Sequence, residues 1–166
     1  MSWEIMNLKN VYKIERLTND PAIVSKVAEF LYDGFGKYYE NSSINGYTQS
    51  LLKKLENDNM PFYMVCFENN NPIGTAGMYE KWGGEETYDL TPWFGALYVI
   101  PEKRRNGVGQ QLLKAIEKEC QKLKINRIYL HTPNQAKLYE KWGWKTIREI
   151  ELKDRIEKIM EYEIVE

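Results

Sequence analysis

Apolar residues recur along the chain with two different periods. Val24, Val27, Ala28 and Leu31 fall at helical spacing behind Asn19-Asp20-Pro21, an N-cap side chain followed by a proline in the first turn. This pattern predicts a helix to about Phe35, broken by Gly34, Gly36 and the polar run 40–46. A shorter helix follows with Leu51, Leu52 and Leu55. Residues 62–67 read as a strand, Asn69-Asn70-Asn71-Pro72 as a turn, and residues 73–78 as the returning strand of a hairpin. Residues 80–92 form a loop carrying Gly83-Gly84 and several acids. Residues 93–99, apolar and aromatic throughout, predict a central strand.

Beyond Pro101 the chain is basic up to Asn106, and Gly107 follows. Leu112, Leu113, Ile116, Cys120 and Leu123 then form one stripe of a long helix. Residues 127–130 are another strand. Thr132-Pro133-Asn134-Gln135 fits a capping box with proline at the first helical position, and the helix runs to Trp142 and stops at Gly143. Residues 144–152 and 159–165 are closing strands. A hairpin, a strand–helix–strand crossover, a helix and a last hairpin make an α/β (α+β) fold with a mixed sheet, its middle pair parallel.

The chain has 166 residues, the size of one domain, so residues 1–166 are expected to fold as a unit with its own core. Twenty-three basic and 24 acidic residues leave a net charge of −1, which points away from nucleic acid and from anionic membranes as partners. No stretch approaches the roughly 18 apolar residues of a membrane helix, and the first ten residues lack the apolar run of a signal peptide. Cys66 and Cys120 lie far apart in apolar patterns, and His131 is the single histidine, so neither a disulfide framework nor a metal site is expected. A soluble, cytoplasmic protein is the expectation.

The segment Arg104-Arg105-Asn106-Gly107-Val108-Gly109 lies between a predicted strand and a predicted helix. Glycines let a backbone come close to a ligand. The first amides of a helix lack internal acceptors and favour an anion, a phosphate or pyrophosphate above all. A basic loop with glycines for tight packing is the plainer alternative. A nucleotide P-loop is excluded because Gln110 follows Gly109, and a dinucleotide fingerprint because position 104 is Arg.

Val99, Pro101, Arg104, Gly107 and Gly109 together match V-x-P-x-x-R-x-x-G-x-G between a strand and a helix. Leu138-Tyr139-Glu140-Lys141-Trp142-Gly143-Trp144 matches L-Y-x-K-x-G-F/W on the following helix. In both motifs, their order and their spacing, the sequence resembles the GNAT superfamily of N-acetyltransferases, in detail over residues 90–145. The resemblance implies that the amides from Arg104 through Arg105, Asn106, Gly107, Val108 and Gly109, with Gln110, hold the pyrophosphate of acetyl-CoA. It implies that the backbone of Leu97, Tyr98 and Val99 pairs with the pantetheine arm, and that an N–H near Leu97 or Tyr98 polarises the thioester carbonyl. It also implies a bulged central strand parted from the strand at 127–130, with Gly95 as a residue that could support the bulge.

By the same resemblance Tyr139 faces the cofactor and is the candidate acid for the leaving thiolate; a plain core tyrosine is the other reading. Family members often carry Asn where this chain has Thr132, with Asn134 two residues later. Thr132 caps the helix, contacts the cofactor, or does both. The base that deprotonates the amine is open. Residues 93–99 hold no acid, so Glu80 is the candidate among Glu80, Glu85, Glu86 and Asp89 in the preceding segment. His131 is a further candidate, at the end of the strand that faces the acyl slot. Phe35, Tyr38 and Trp93 are candidates for contact with the acceptor, or are simply half-buried aromatics.

The expected activity is transfer of acetyl from acetyl-CoA to a primary amine of a small molecule or peptide by direct attack, since neither cysteine shows an activating partner. The alternative is a binding module that senses acyl-CoA without turnover. Monomer and homodimer are both compatible with the sequence.

Overall fold

The computed structural model describes residues 12–165, so the reading of the first ten residues lies outside the described part. The described part starts with a strand, β1 (Tyr12–Arg16), followed by α1 (Pro21–Phe35) and α2 (Ile44–Lys54). Asp20 Oδ1 accepts from the amides of Ala22 at 3.0 Å and Ile23 at 3.4 Å, so α1 begins where its cap and proline predict. Ser43 Oγ accepts from Gly46 N at 2.9 Å and starts α2 in the same way. Then come β2 (Phe62–Glu68), β3 (Asn71–Tyr79), β4 (Trp93–Val99), α3 (Val108–Lys122), β5 (Arg127–Thr132), α4 (Ala136–Lys141), β6 (Lys145–Glu151) and β7 (Ile156–Glu163).

In the first half of the chain two elements differ from the sequence reading. β1 was not expected: its Tyr12-Lys13-Ile14-Glu15-Arg16 alternates inward and outward, but over five residues with two apolar side chains the period is too short to stand out. It pairs antiparallel with β2 at the edge of the sheet. The β2–β3 turn is Asn69-Asn70 alone, both at positive φ (50° and 68°), the backbone of a tight two-residue hairpin. Pro72 therefore lies inside β3, beside a register shift where a missing N–H is tolerated.

The seven strands form one mixed sheet in the order β1-β2-β3-β4-β5-β7-β6, and β4–β5 is its parallel pair. α3 covers one face. Its Leu112, Leu113, Ile116 and Cys120 pack with Phe62, Met64, Met78, Phe94, Ile128, Leu130 and Met160 from the strands. α1 and α2 cover the other face, where Val24, Val27, Leu31 and Leu51 meet Tyr63 and Val65. A third cluster on that second face, Leu90, Trp93, Ile150 and Ile159, lies under the 80–92 loop. The loop is tied to β6 by Arg148, whose two terminal nitrogens donate to the Asp89 carboxylate at 3.0 and 2.6 Å.

Ile116 is completely buried in the α3 stripe. Replacing it with alanine leaves a cavity against three strands, and urea unfolding should report a loss of about 2–5 kcal/mol.

Candidate active site

β4 and β5 are in register at one pair, Trp93 opposite Tyr129, reinforced by Tyr129 N donating to Pro92 O at 3.0 Å. Past that pair the two strands part. On its other side β4 stays paired with β3, but with a bulge: Gly95 faces Gly77 and Tyr98 faces Thr75, so Ala96 and Leu97 together oppose Ala76. Ala96 takes up the irregularity at φ 53°, a conformation an alanine seldom adopts. Gly95 does different work. A Cβ there would stand 3.3 Å from the Tyr79 ring, so this glycine serves close packing. The bulge turns the backbone of residues 96–99 toward an opening with no strand across it.

α1 presses on the bulged half from behind. Phe30 stacks on Tyr98 at 5.4 Å, and a Cβ at Gly34 would come within 2.8 Å of the same ring. The Tyr98 side chain is thus part of the packing, and what it offers the opening is its backbone.

Beyond Val99 the chain reaches the basic loop. Ile100 N donates to Ile73 O at 2.9 Å, and Lys103 pairs with Glu68 at 2.7 Å, which anchors the loop to the β2–β3 hairpin. Arg104 Nε donates to Val99 O at 2.8 Å, while its guanidinium lies 5.3 Å over the Tyr98 ring. This arginine therefore fixes the end of β4. Asn106 Nδ2 donates back to Arg104 O at 3.1 Å. Arg105 and Gly107 both have positive φ, 65° and 79°, and so turn the chain into α3. The first backbone bond into the helix runs from Gln111 N to Gly107 O, leaving the amides of Val108, Gly109 and Gln110 without helical acceptors. A Cβ on Gly107 would meet no protein atom within 4 Å, so the space before these amides is an open cradle of the kind a phosphate fills.

Gly109 faces inward. A Cβ there would lie 2.9 Å from the Trp142 ring, so α4 docks directly on the start of α3. Tyr139 packs edge-on against both Trp142 and Trp144 within the cluster that also takes in Leu97 and Val99. Burial pushes its hydroxyl up to about 12. Thr132 Oγ1 accepts from Gln135 N at 2.9 Å, so the hydroxyl is engaged in the turn before α4. Helical structure begins at Ala136, after Pro133 rather than at it, and Asn134 is exposed in that turn. Both thiols are buried in the α3 face, which raises Cys66 to about 11 and Cys120 to about 12, so neither is a nucleophile at neutral pH.

Several aromatic groups lie on the opposite face of the sheet. Tyr38, in the turn after α1, lies 5.1 Å under the guanidinium of Arg155 from the β6–β7 turn. Phe35 is packed partly into the α1–α2 cluster. Trp93 is 1% exposed and its Nε1 donates to Leu90 O at 2.9 Å, so it forms a floor rather than a free contact surface. Glu80 is exposed just past the end of β3, its carbonyl accepting from Thr91 Oγ1 at 2.6 Å, and lines an open groove of about 770 Å³ with Trp82 and Tyr88.

His131 and three residues around it form a unit the sequence did not reveal. Trp82 stacks on the imidazole at 3.7 Å between centroids and 11° between planes. Nδ1 lies 3.4 Å from Glu157 Oε2, and Arg155 Nε donates to Glu157 Oε1 at 2.7 Å. Burial pushes the Glu157 carboxyl up, but the bonds from His131 and Arg155 outweigh it and hold it below the usual glutamate range. The available signal was an acid two residues before Ile159, on the inward face of a strand. Among the described residues, no three His, Cys, Asp or Glu side chains cluster as metal ligands, and no helix is long and apolar enough to cross a membrane.

Free amides at a helix start, beside a bulged strand parted from its parallel neighbour, could hold a long phosphate-bearing ligand. The sequence matches the Acetyltransferase (GNAT) family over residues 28–144, most of its length, and the chain belongs to that family, whose co-substrate is acetyl-CoA. No curated protein matches it significantly. Among solved structures, an aminoglycoside 6'-N-acetyltransferase in complex with coenzyme A superposes with a TM-score of 0.74 at 16% identity, covering 93% of this chain and 98% of that one. The aminoglycoside 6'-N-acetyltransferase from Enterococcus faecium gives 0.71 at 16% identity, with 93% and 98% covered. N-acetylglutamate synthase from Neisseria gonorrhoeae, complexed with coenzyme A and N-acetyl-glutamate, gives 0.64 at 18% identity, with 95% of this chain and 36% of that one covered. At such identities the likeness is one of fold, and these names, spanning an aminoglycoside and N-acetyl-glutamate, choose no acceptor.

Because the Glu157 carboxyl is held low, its contribution to stability is fully present above the ordinary glutamate value of about 4.3. It is lost as pH falls through the lower folded value. The stability gap between wild type and Glu157→Gln, followed by urea unfolding across pH, should close on acidification and stay open at neutral pH.

Proposed function

We propose that the protein is an acetyl-CoA-dependent N-acetyltransferase that acylates a primary amine of a small molecule or peptide by direct attack. The observation that carries this reading is the parting of β4 from β5 at the Trp93–Tyr129 pair, continuous with the open amide cradle at Gly107. The amides of Val108, Gly109 and Gln110, with the loop from Arg104 to Gly107, would hold the pyrophosphate. The exposed backbone of Leu97, Tyr98 and Val99 would take the pantetheine arm as an added strand. An N–H at the bulge, near Leu97 or Tyr98, would face the oxygen that becomes negative in the tetrahedral intermediate. Bound acetyl-CoA supplies an activated acyl group, and the residues around it supply orientation, hydrogen bonds and proton transfer.

Tyr139 would face the leaving sulfur, a role supported by its packing against Trp142, which itself sits on Gly109. With its hydroxyl raised to about 12, it stays protonated at neutral pH and is a standing donor. Full proton transfer to a thiolate whose acid form titrates near 8.5 runs uphill from such a phenol. Its role is therefore to donate a hydrogen bond to the departing sulfur, while the proton itself comes from the attacking ammonium. Thr132 acts as the cap of the α4 turn, and Asn134 is the polar group beside the arm. Tyr38, at the mouth of the opposite face, is the candidate acceptor contact.

The reading is tested by calorimetry with acetyl-CoA and a screen of amines. Native protein should bind in the micromolar range. Gly107→Glu, which adds strain at φ 79° and a carboxylate in the cradle, should abolish binding while the fold is kept. A folded native chain that does not bind acetyl-CoA would refute the assignment. Tyr139→Phe should keep acetyl-CoA affinity and lose ten-fold or more in turnover. A protein that binds acetyl-CoA but acylates no amine is instead the non-catalytic sensor.

A further inference from the structure

We infer that His131 is the general base that takes the proton of the acceptor ammonium, with Glu157 as its positioning residue; this rests on the N-acetyltransferase reading above. His131 lies on β5 two residues past Tyr129, where β5 has already left β4. Ile128, Leu130 and Thr132 turn to the α3 face, so Tyr129 and His131 turn to the other, on the side of α1, Trp82 and Tyr38. Counted from the Trp93–Tyr129 pair, the histidine stands level with Gly95, one residue before the Ala96–Leu97 bulge, on the strand that borders the parting.

Its ring is held on two sides. Trp82 covers one face, and Trp93 lies 6.2 Å away at an angle of 61°. Among the described residues its hydrogen bonding runs through Nδ1 alone, to a carboxylate that is 2% exposed. A buried carboxylate on Nδ1 selects the tautomer with the proton on that nitrogen, which leaves Nε2 with a free lone pair. The charged groups that face the ring are Glu157 from β7 and, behind it, Arg155 from the β6–β7 turn; Trp82 from the loop and Trp93 from β4 are uncharged. Arg155 occupies Oε1 and leaves Oε2 for the histidine. A quarter of the His131 side chain stays exposed (26%), and with Nδ1 turned to Glu157 and one ring face under Trp82, we assign that exposure to the Nε2 edge. The acids of the 80–92 loop are less well arranged. Asp89 is committed to Arg148, and Glu80, Glu85 and Glu86 are exposed.

An alkylamine reaches the site as its ammonium, with an ordinary value near 10.4. Nε2 takes one ammonium proton. The freed lone pair forms the C–N bond at the thioester carbonyl carbon, and the C–S bond breaks. The second nitrogen proton passes to the sulfur, leaving the amide and the thiol, and the imidazolium returns its proton to solvent. Glu157 and the Trp82 face both favour the imidazolium while it exists.

Because the chain has one histidine, long-range proton–nitrogen NMR on the full-length labelled protein reads this ring without assignment. The expected neutral form carries its proton on Nδ1, loses that preference in Glu157→Gln, and shifts when coenzyme A is added. A neutral form protonated on Nε2, or a ring that does not sense coenzyme A, overturns the proposal. With an amine that the native chain acetylates, His131→Gln should keep acetyl-CoA affinity and lose about a hundred-fold or more in kcat/KM at neutral pH. The loss should fade as pH approaches the amine's own value. A pH profile unchanged by His131→Gln overturns the base and leaves the N-acetyltransferase reading standing. A native chain that binds acetyl-CoA and acetylates no amine overturns that reading, whichever tautomer the ring holds.

Discussion

The backbone of β4 between Ala96 and Val99 governs much of this structure. It lies in the middle of a seven-stranded sheet, where every N–H and C=O would ordinarily have a neighbour, yet β5 parts from it after one registered pair. Unpaired peptide groups inside a protein are costly unless something else meets them. Here they face an opening, and the rest of the site is arranged to keep it open. The bulge at Ala96 and Leu97 turns the backbone, Phe30 and Gly34 of α1 lock Tyr98 from behind, and Arg104 takes the Val99 carbonyl at the strand's end. A strand with a free edge inside a packed sheet can accept an extended ligand as an added strand, and it is prepared for one before any ligand arrives.

The residues around the parting lie on both faces of the sheet. On one face lie α3, α4 and Tyr139, with the amide cradle at the helix start. On the other lie Tyr38, Arg155, Trp82 and the His131–Glu157 pair. In the proposed reaction the two substrates approach from these opposite faces, and the leaving group and the attacking nitrogen are served by different residues. The buried carboxylate fits this division. Glu157 is an expensive residue to hold ionised at 2% exposure, and both its oxygens are met, by Arg155 and by His131. A structural ion pair would need only the arginine; the second contact orients a ring on the wall of the opening.

Several features could be read from the chain directly because they depend on neighbours in sequence. The cap and proline of α1, the stripe of α3 and the glycine loop before it are local, and the structure has them where the pattern puts them, except that Leu123 falls just past the end of α3 and is exposed. β1 was lost because five alternating residues at a sheet edge carry too little apolar signal. Pro72 and Pro133 were each assigned a conventional position, in a turn and at a helix start. The structure instead accommodates Pro72 beside a register shift, and Pro133 in a turn that Thr132 closes. Gly95 looked like the residue that would bend the central strand. The positive φ falls on Ala96, while the Tyr79 ring takes the space a side chain at 95 would need.

By itself the sequence determined the order of the elements after β1, the two motifs that mark the acetyltransferase family, and the glycine loop with Tyr139 downstream of it. Each of these is a local pattern, in which side-chain period, capping and backbone freedom act over a few residues. Only the tertiary structure decided what stands across the opening. Trp82, His131, Arg155 and Glu157 come from a loop, a strand, a turn and a second strand, up to 75 residues apart in the numbering. Their meeting depends on β7 inserting between β5 and β6, a long-range pairing that no local period encodes. The same insertion converts an unremarkable glutamate near the end of the chain into a buried partner for the only histidine.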